Sequence, residues 1–194
     1  MADFNKAFKN TMEHEGGYVD DKDDRGGETY RGVSRNNFPD WKGWGKIDAH
    51  KPVDAGFRDK LAQDGSLQKA VIAFYKKEFW NRFKGDSIGD QALAEEMFDT
   101  AVNMGWKVAG RFFQQSLNLL NRNGSLFPDL AEDGFVGAKT IKALEKYLQK
   151  DKPDYLLKLL NILQGARYVE IMKNNPTQEK YARGWLNRIS IARI

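Results

Sequence analysis

The fold is decided by residues 4–34, which read FNKAFKNTMEHEGGYVDDKDDRGGETYRGVS. Apolar side chains recur at helical spacing from Phe4 to Met12. Asp3 can cap the start of this helix, and the pair Gly16-Gly17 is typical of a helix end. The opening segment is therefore predicted to be one short amphipathic helix.

Residues 18–34 differ sharply in composition, because Asp, Gly and Arg dominate them. Such residues favour turns, whereas β-branched and aromatic residues favour strands. The strand-forming residues of the segment are Val19, Thr29, Tyr30 and Val33. A long turn with a small β-hairpin is predicted here, and it is the one plausible strand region.

Helical patterns fill most of the remaining sequence. Residues 35–65 carry prolines, glycines and two tryptophans, which predicts loops with short helical turns. Helices are predicted at about 66–83 with Ser66 as the cap, and at about 91–104, 107–120, 138–150, 154–173 and 178–188. The Asn- and Gly-rich stretch 121–134 is predicted to be an interior loop. The predicted fold class is mainly α with a small β-hairpin after the first helix.

Composition excludes several classes of protein. The 194 residues are 41% hydrophobic and carry a net charge of +4 without a low-complexity run, which indicates a globular protein. There is no cysteine and there are only two histidines, so neither a disulfide framework nor a zinc site is expected. No cofactor and no metal are expected.

The same composition bears on partners and location. No arginine-rich tract offers itself to nucleic acid, and no segment is apolar enough for membrane insertion. A basic nucleic-acid-binding protein is an alternative that net charge alone supports. The start, MADFNKAFKN, lacks the apolar core of a signal peptide. We therefore expect synthesis in the cytoplasm, and action on any external target after release or specialised export.

Glu15 is the leading candidate for a catalytic acid. In helical projection it shares a narrow sector with Phe8 and Thr11, whereas Glu13 falls on the opposite side. Desolvation on an apolar face raises the pKa of a carboxyl group and keeps it protonated near neutral pH. A protonated carboxyl is what a general acid for glycoside cleavage requires. The alternative is that Glu15 is a frayed helix-end residue in water.

The partner carboxylate is left open by the sequence. Asp20, Asp21, Asp23, Asp24 and Glu28 all follow within the next loop, and Asp24 and Asp20 are the leading candidates. Turn formation by Asx motifs, or a cation-binding loop, explains these acids equally well. Glu78 is a rival general acid because it shares a helical sector with apolar residues.

Four segments together resemble glycoside hydrolase family 108, an N-acetylmuramidase family also described as secretion activators. They are EGGYV at 15–19 with the loop up to GVS at 32–34, FDTAVNMG at 98–105, DGFVG at 133–137 and GWLNR at 184–188. The third looks like the start of the peptidoglycan-binding region that accompanies this family. Arg25 and Ala138 depart from the family pattern, which often has proline at these places.

The resemblance implies a lysozyme-like helical fold that hydrolyses the β-1,4 bond between N-acetylmuramic acid and N-acetylglucosamine. In the family the glutamate of this motif is the catalytic acid, which maps onto Glu15. Tyr18 and Thr29 would line the cleft beside it. Packing for Tyr18 and hairpin propensity for Thr29 are equally good explanations.

Three more residues are candidates for substrate binding. Asp99 and Asn103 lie one turn apart on the polar stripe of an apolar helix, so they could bind sugar hydroxyls and amides. A solvated stripe explains them almost as well. Among the tryptophans, Trp106 is favoured for stacking on a sugar because it directly follows this segment. The alternative for any of these tryptophans is a place in the core.

The predicted organisation is a catalytic region at 1–90 and a helical peptidoglycan-binding region at 91–194, packed as one compact unit. The expected partner is the peptidoglycan glycan strand, acted on by a monomer. The alternative function is a non-catalytic wall-binding or secretion accessory module, because a fold does not secure an activity.

Overall fold

The structure is a computed structural model that describes residues 1–12, 17–20 and 26–190. Two of the predicted catalytic residues, Glu15 and Asp24, lie outside the described residues. The described residues form helices and one small sheet, so the predicted mainly α, lysozyme-like fold is confirmed. The elements are α1 (Phe4–Met12), β1 (Tyr18–Val19), β2 (Thr29–Tyr30), β3 (Val33–Ser34), α2 (Gly43–Asp48), α3 (Phe57–Gln63), α4 (Gly65–Glu78), α5 (Gln91–Met104), α6 (Trp106–Leu119), α7 (Ala138–Leu148), α8 (Pro153–Asn174) and α9 (Ala182–Leu186).

The chain divides into two units. The sheet unit is Phe8–Glu78, and the helical unit consists of Met1–Ala7 together with Phe79–Ile194. The division of function at residue 90 that the sequence suggests stays a prediction. Among the described residues, none of the helices combines the length and the apolar character needed to cross a membrane.

The start of α1 is as predicted. Asp3 caps the helix, since its Oδ1 accepts a hydrogen bond of 2.8 Å from the backbone N–H of Asn5. Phe4 is buried, and its ring packs edge-on against Trp80 and Phe98 at centroid distances of 5.5 and 5.7 Å.

The sheet is larger than the predicted hairpin. Its three strands pair in the order β1-β2-β3, both pairs antiparallel, with Tyr18 opposite Tyr30 and Tyr30 opposite Val33. Two residues, Arg31 and Gly32, connect β2 to β3 with φ values of 45° and 79°. Positive φ at both positions is the requirement of a type I′ turn, which matches the twist of the adjoining strands.

The start of α4 differs from the prediction. Asp64, not Ser66, is the cap, because its Oδ1 accepts hydrogen bonds from the backbone N–H groups of Ser66 and Leu67 at 2.9 and 3.0 Å. The helix ends at Glu78, and the predicted extension is instead a short 3-10 helix, Trp80–Phe83.

The helical unit follows the predicted element order closely. Asp90 caps α5 by accepting a hydrogen bond of 3.0 Å from Leu93 N–H, and α5 packs against α6 and α8. The last predicted helix is a 3-10 segment, Pro176–Tyr181, followed by α9. The buried side chains of this unit include Trp80, Phe83, Leu93, Met97, Phe98, Phe113, Leu117, Leu144, Tyr147, Leu156 and Tyr168.

Candidate active site

The Glu28 carboxylate is the centre of a charged cluster in the sheet unit. It directly precedes β2, and its side chain is only 10% exposed. Tyr18 Oη donates a hydrogen bond of 2.9 Å to its Oε1. Arg35 Nε lies 2.7 Å from Oε2, and Lys51 Nζ lies 3.1 Å from Oε1. One hydroxyl donor and two cations, from three segments, therefore converge on one carboxylate.

Asp48 at the end of α2 balances the cluster. Arg35 donates to both Asp48 oxygens at 2.7 and 3.1 Å, and Lys51 Nζ lies 3.0 Å from Oδ1. The hydrogen bond that Arg35 donates lowers the pKa of Asp48. The hydrogen bonds that Arg35 and Lys51 each donate to Asp48 raise the pKa of these two cations. The guanidinium group also lies 4.5 Å from the centroid of the Trp44 ring. Two acids and two bases thus stabilise one another.

Tyr18 is held as a proton donor by this cluster. Burial, and then the hydrogen bond to Glu28, raise the pKa of its phenol well above the ordinary value of 10.0. Its ring packs edge-on against Phe57 at a centroid distance of 4.9 Å. The phenol therefore stays protonated and holds the Glu28 carboxylate in place, and a role of Tyr18 in lining a substrate cleft stays a prediction.

The pairing of β1 with β2 brings three predicted site residues together. Thr29 lies opposite Val19, next to the Tyr18–Tyr30 pair, and its hydroxyl donates to the carbonyl of Gly27 at 3.0 Å. Asp20 directly follows β1 and is exposed. Tyr18, Asp20 and Thr29 therefore share one end of the sheet unit. They follow Glu15 in the sequence by three, five and fourteen positions.

A cavity of about 220 Å³ opens beside this end of the sheet. It is lined by Gly17, Tyr18, Tyr30, Arg31, Arg58, Ala62 and Gln68. Gln68 orders its polar wall by accepting from Arg31 Nη1 at 2.8 Å and donating to Tyr30 Oη at 2.9 Å. Arg58 is exposed and has no ion-pair partner in the part of the chain that the structure describes. The cavity can therefore accept an anionic group.

Asp99 and Asn103 lie in the helical unit and are bonded within the chain. Asp99 Oδ1 lies 2.6 Å from Arg188 Nη1, and Oδ2 accepts from Gln164 Nε2 at 3.1 Å. Asn103 Nδ2 donates to the carbonyl of Asp99 at 2.9 Å. Asp99 thus joins α5 to α8 and to the segment after α9, and sugar binding by either residue stays a prediction.

Glu96, one turn before Asp99 on α5, was not a candidate from the sequence. Burial raises its pKa to about 7, and the charge of Asp99 adds to the rise. Hydrogen bonds involving Asn161 and Thr100 oppose it. In the sequence, Glu96 is marked only by its place on the same polar stripe of the helix as Asp99. This position does not show how deeply the stripe is buried.

The remaining candidates have defined surroundings. Trp106 is half-buried, with its ring edge-on to Phe135 at 5.4 Å and the Arg82 guanidinium 5.6 Å from its centroid. Glu78 forms an ion pair of 2.9 Å with Lys77 at the end of α4. Within residues 1–12, 17–20 and 26–190, no group of three or more acidic or histidine side chains is arranged to hold a metal ion.

Comparisons with known proteins agree with this architecture. The family model described as "Glycosyl hydrolase 108" matches residues 8–105, about half of the chain, and that described as "Predicted Peptidoglycan domain" matches residues 108–190. The solved structure of Brucella abortus SagA is similar in fold, with a TM-score of 0.59 and 24% identity over 96% of this chain and 88% of that one. No relative was found among the curated proteins.

A mainly helical fold with a small sheet, carrying these two matched regions, defines a protein of the peptidoglycan-acting glycoside hydrolase class. The chain belongs to the glycosyl hydrolase 108 family. The resemblance seen in the sequence is thereby confirmed.

Glu28→Gln is expected to destabilise the protein, because it removes the charge that Arg35 and Lys51 share. Both cations are partly exposed, so the expected loss in the free energy of unfolding is moderate, about 1–2 kcal/mol. Urea unfolding followed by tryptophan fluorescence measures it. Asp54→Asn, which breaks the exposed pair with Lys60, is the control and should leave the midpoint unchanged. Equal midpoints for all three proteins would remove the structural role from Glu28.

Glu96 is expected to make stability depend on pH. Its pKa is about 7 in the folded protein against 4.5 ordinarily, so the folded state holds the proton more tightly. This stabilisation is complete below about pH 4.5 and is lost as the pH rises through about 7, by up to about 3 kcal/mol.

The Glu96→Gln variant should therefore gain stability relative to the parent between pH 5 and 8. Thermal unfolding across this range is the measurement, with Glu145→Gln, an exposed position on α7, as the control. If Glu96→Gln keeps the pH slope of the parent protein, Glu96 does not carry the proton.

Proposed function

We propose that this chain is an N-acetylmuramidase that cleaves the β-1,4 bond between N-acetylmuramic acid and N-acetylglucosamine in peptidoglycan. Membership of the glycosyl hydrolase 108 family and the peptidoglycan-domain match at residues 108–190 support the reaction class and the polymer. The observation that carries the finer proposal is the cavity whose wall begins at Gly17, two positions after Glu15 in the chain.

Glu15 is the proton donor in this mechanism. It protonates the glycosidic oxygen as the bond to the anomeric carbon breaks, while positive charge develops on the sugar ring. Asp20 or Asp24 supplies the second carboxylate. It either attacks the anomeric carbon to form a covalent intermediate, which water then hydrolyses, or it activates a water molecule that attacks this carbon directly. The exposure of Asp20 directly after β1 supports this role, as does its absence from the ion pairs of Glu28 with Arg35 and Lys51.

The hydrogen-bond donors around the cavity favour muramic acid over N-acetylglucosamine. Muramic acid carries an additional lactyl ether, whose carboxyl group is joined to the peptide by an amide bond in intact peptidoglycan. Arg58 supplies an exposed guanidinium at the cavity wall, and Arg31 supplies a second one held by Gln68. Guanidinium N–H groups donate hydrogen bonds to carbonyl oxygens such as that of the lactyl amide. The cavity of about 220 Å³ is smaller than the roughly 300–1,000 Å³ of sites for drug-sized ligands, which suits one sugar substituent.

The target polymer lies outside the cell membrane, which bears on where the protein acts. We propose that the chain reaches the wall after lysis, release through a holin or specialised export, and that it acts there as a bacteriolytic, endolysin-type enzyme. Such a route predicts that cells producing the protein lyse only after their membrane is permeabilised, and lysis of cells with an intact membrane would contradict it.

Glu15→Gln is expected to abolish release of reducing ends from isolated peptidoglycan, because an amide keeps the shape but cannot donate the proton. Loss of one general acid lowers the rate by about 100-fold or more. The matched control is Glu13→Gln, the acid on the opposite side of the helical projection, which should keep the parent rate.

Both variants should sediment with peptidoglycan as the parent protein does, which separates lost catalysis from lost binding. Equal rates for the parent and for Glu15→Gln would exclude Glu15 as the acid. Sedimentation of the parent protein without any new reducing ends would instead indicate a non-catalytic wall-binding module.

A further inference from the structure

A second, larger cavity lies in the helical unit, within the region matched to the peptidoglycan domain. It is a groove of about 710 Å³ between α7 and the segment 127–137, and we call it the α7 groove. Its apolar lining comes from Phe127, Pro128, Leu130, Ala131, Phe135 and Ala143. No residue of the proposed catalytic site belongs to it.

One wall of the α7 groove is held in place by amide side chains. Asn118 bonds both to the carbonyl and to the N–H of Leu130, at 2.9 and 2.8 Å. Asn121 donates to the carbonyl of Phe127 at 2.6 Å, and Gln114 accepts from the N–H of Gly134 at 2.8 Å. These amides satisfy the backbone of the segment without a sheet, so the groove is formed before any ligand binds.

The same wall approaches α6 closely. Gly134 has a φ of 80°, and an added Cβ there would collide with the carbonyl of Lys107. An added Cβ at Gly110 would collide with the carbonyl of Gly134. Two glycines thus allow backbone to pack on backbone, which fixes the depth of the α7 groove.

The opposite wall carries three lysines on one face of α7. Lys139, Lys142 and Lys146 are spaced three and four residues apart and line the groove. None of them has an ion-pair partner among the residues that the structure describes. The acids of the groove, Asp129 and Asp133, accept hydrogen bonds from Asn121 and Gln114 at 2.8 and 2.9 Å. The α7 wall is therefore wholly positive, with three ammonium groups, and the two carboxylates of the groove belong to the other wall.

An exposed aromatic ring completes the groove. The Phe135 side chain is 55% exposed, although Trp106 packs against its edge at 5.4 Å. Lys107 Nζ lies 4.8 Å from the centroid of the same ring. A ring fixed at its edge and exposed elsewhere can cover the alkyl side chain of a ligand.

We propose that the α7 groove binds the short acidic peptide that is attached to muramic acid in peptidoglycan. This assignment rests on the proposed function only in taking peptidoglycan as the partner. Peptide carboxylates match the three lysines, and small alkyl side chains match the apolar floor. A neutral glycan offers no partner for the lysines, and a polyphosphate offers nothing to the apolar floor.

The test compares two triple variants of the full chain for binding to isolated peptidoglycan, measured by sedimentation on ice. Lys139→Gln, Lys142→Gln and Lys146→Gln together remove the cations of the groove. Lys150→Gln, Lys152→Gln and Lys173→Gln together remove the same charge from exposed positions outside it. The groove variant should bind about tenfold more weakly, as three exposed ion pairs allow, and the control variant as the parent does.

The second arm uses peptidoglycan whose peptides have been removed by an amidase and whose freed lactyl carboxylates have then been converted to methylamides, so that the remaining glycan is neutral. The parent protein should bind this glycan about as weakly as the groove variant does, and the difference between the two proteins should vanish. Equal losses in both triple variants would overturn the proposal, as would unchanged binding of the parent protein after the peptides are removed. The release of reducing ends is measured separately, so an inactive parent protein would defeat the proposed function and leave the binding comparison valid.

Discussion

The candidate site depends on the hydrogen bond and the ion pairs that the nearly buried carboxylate of Glu28 forms. Each strand of the sheet has only two residues, so the backbone ladder supplies few hydrogen bonds. The side chain of Glu28 compensates by binding Tyr18 from β1, Arg35 just after β3 and Lys51 beyond α2. One acid thereby fixes the strand that leads out of the Glu15 segment. The cavity at Gly17 follows from this anchoring.

The helical unit depends on a different kind of interaction. Side-chain amides form the hydrogen bonds to the loop backbone that a helix or a sheet would otherwise supply. Gln114, Asn118 and Asn121 project from one face of α6 and its end, and they bond to the backbone of the loop that follows. Asp99 similarly joins α8 and the segment after α9 to α5. Polar side chains in this unit therefore hold loops and chain ends in place, which gives the α7 groove a defined shape.

Local patterns in the sequence were enough to predict most of the elements. The helices α5 to α8 were predicted within about two residues, because their apolar spacing and their flanking residues agree. The start of α4 was predicted wrongly, since Ser66 and Asp64 are both good caps and only the hydrogen bonds decide between them. The third strand was missed because the tight turn at Arg31-Gly32 leaves so little sequence between β2 and β3.

The site was less predictable, because its contacts are far apart in sequence. In the sequence Glu28 is one of five acids in the same loop, and no local pattern predicts Arg35 or Lys51 as its partners. Asp99 and its partner Arg188 are 89 positions apart in the sequence. The polar stripe of α5 is therefore as consistent with a surface that binds sugar as with one that binds another part of the chain. Spacing identifies which face a residue occupies, but packing between elements decides whether that face is exposed or bonded.

The central proposal is that the chain cuts on the reducing side of N-acetylmuramic acid, with its cavity binding the lactyl group of that sugar. The most direct measurement is the identity of the new reducing ends, obtained by borohydride reduction and mass spectrometry of the products of digested peptidoglycan. Cleavage by a muramidase should give reduced muramic acid at these ends. Reduced glucosamine in its place, or no reduced sugar at all, would contradict it.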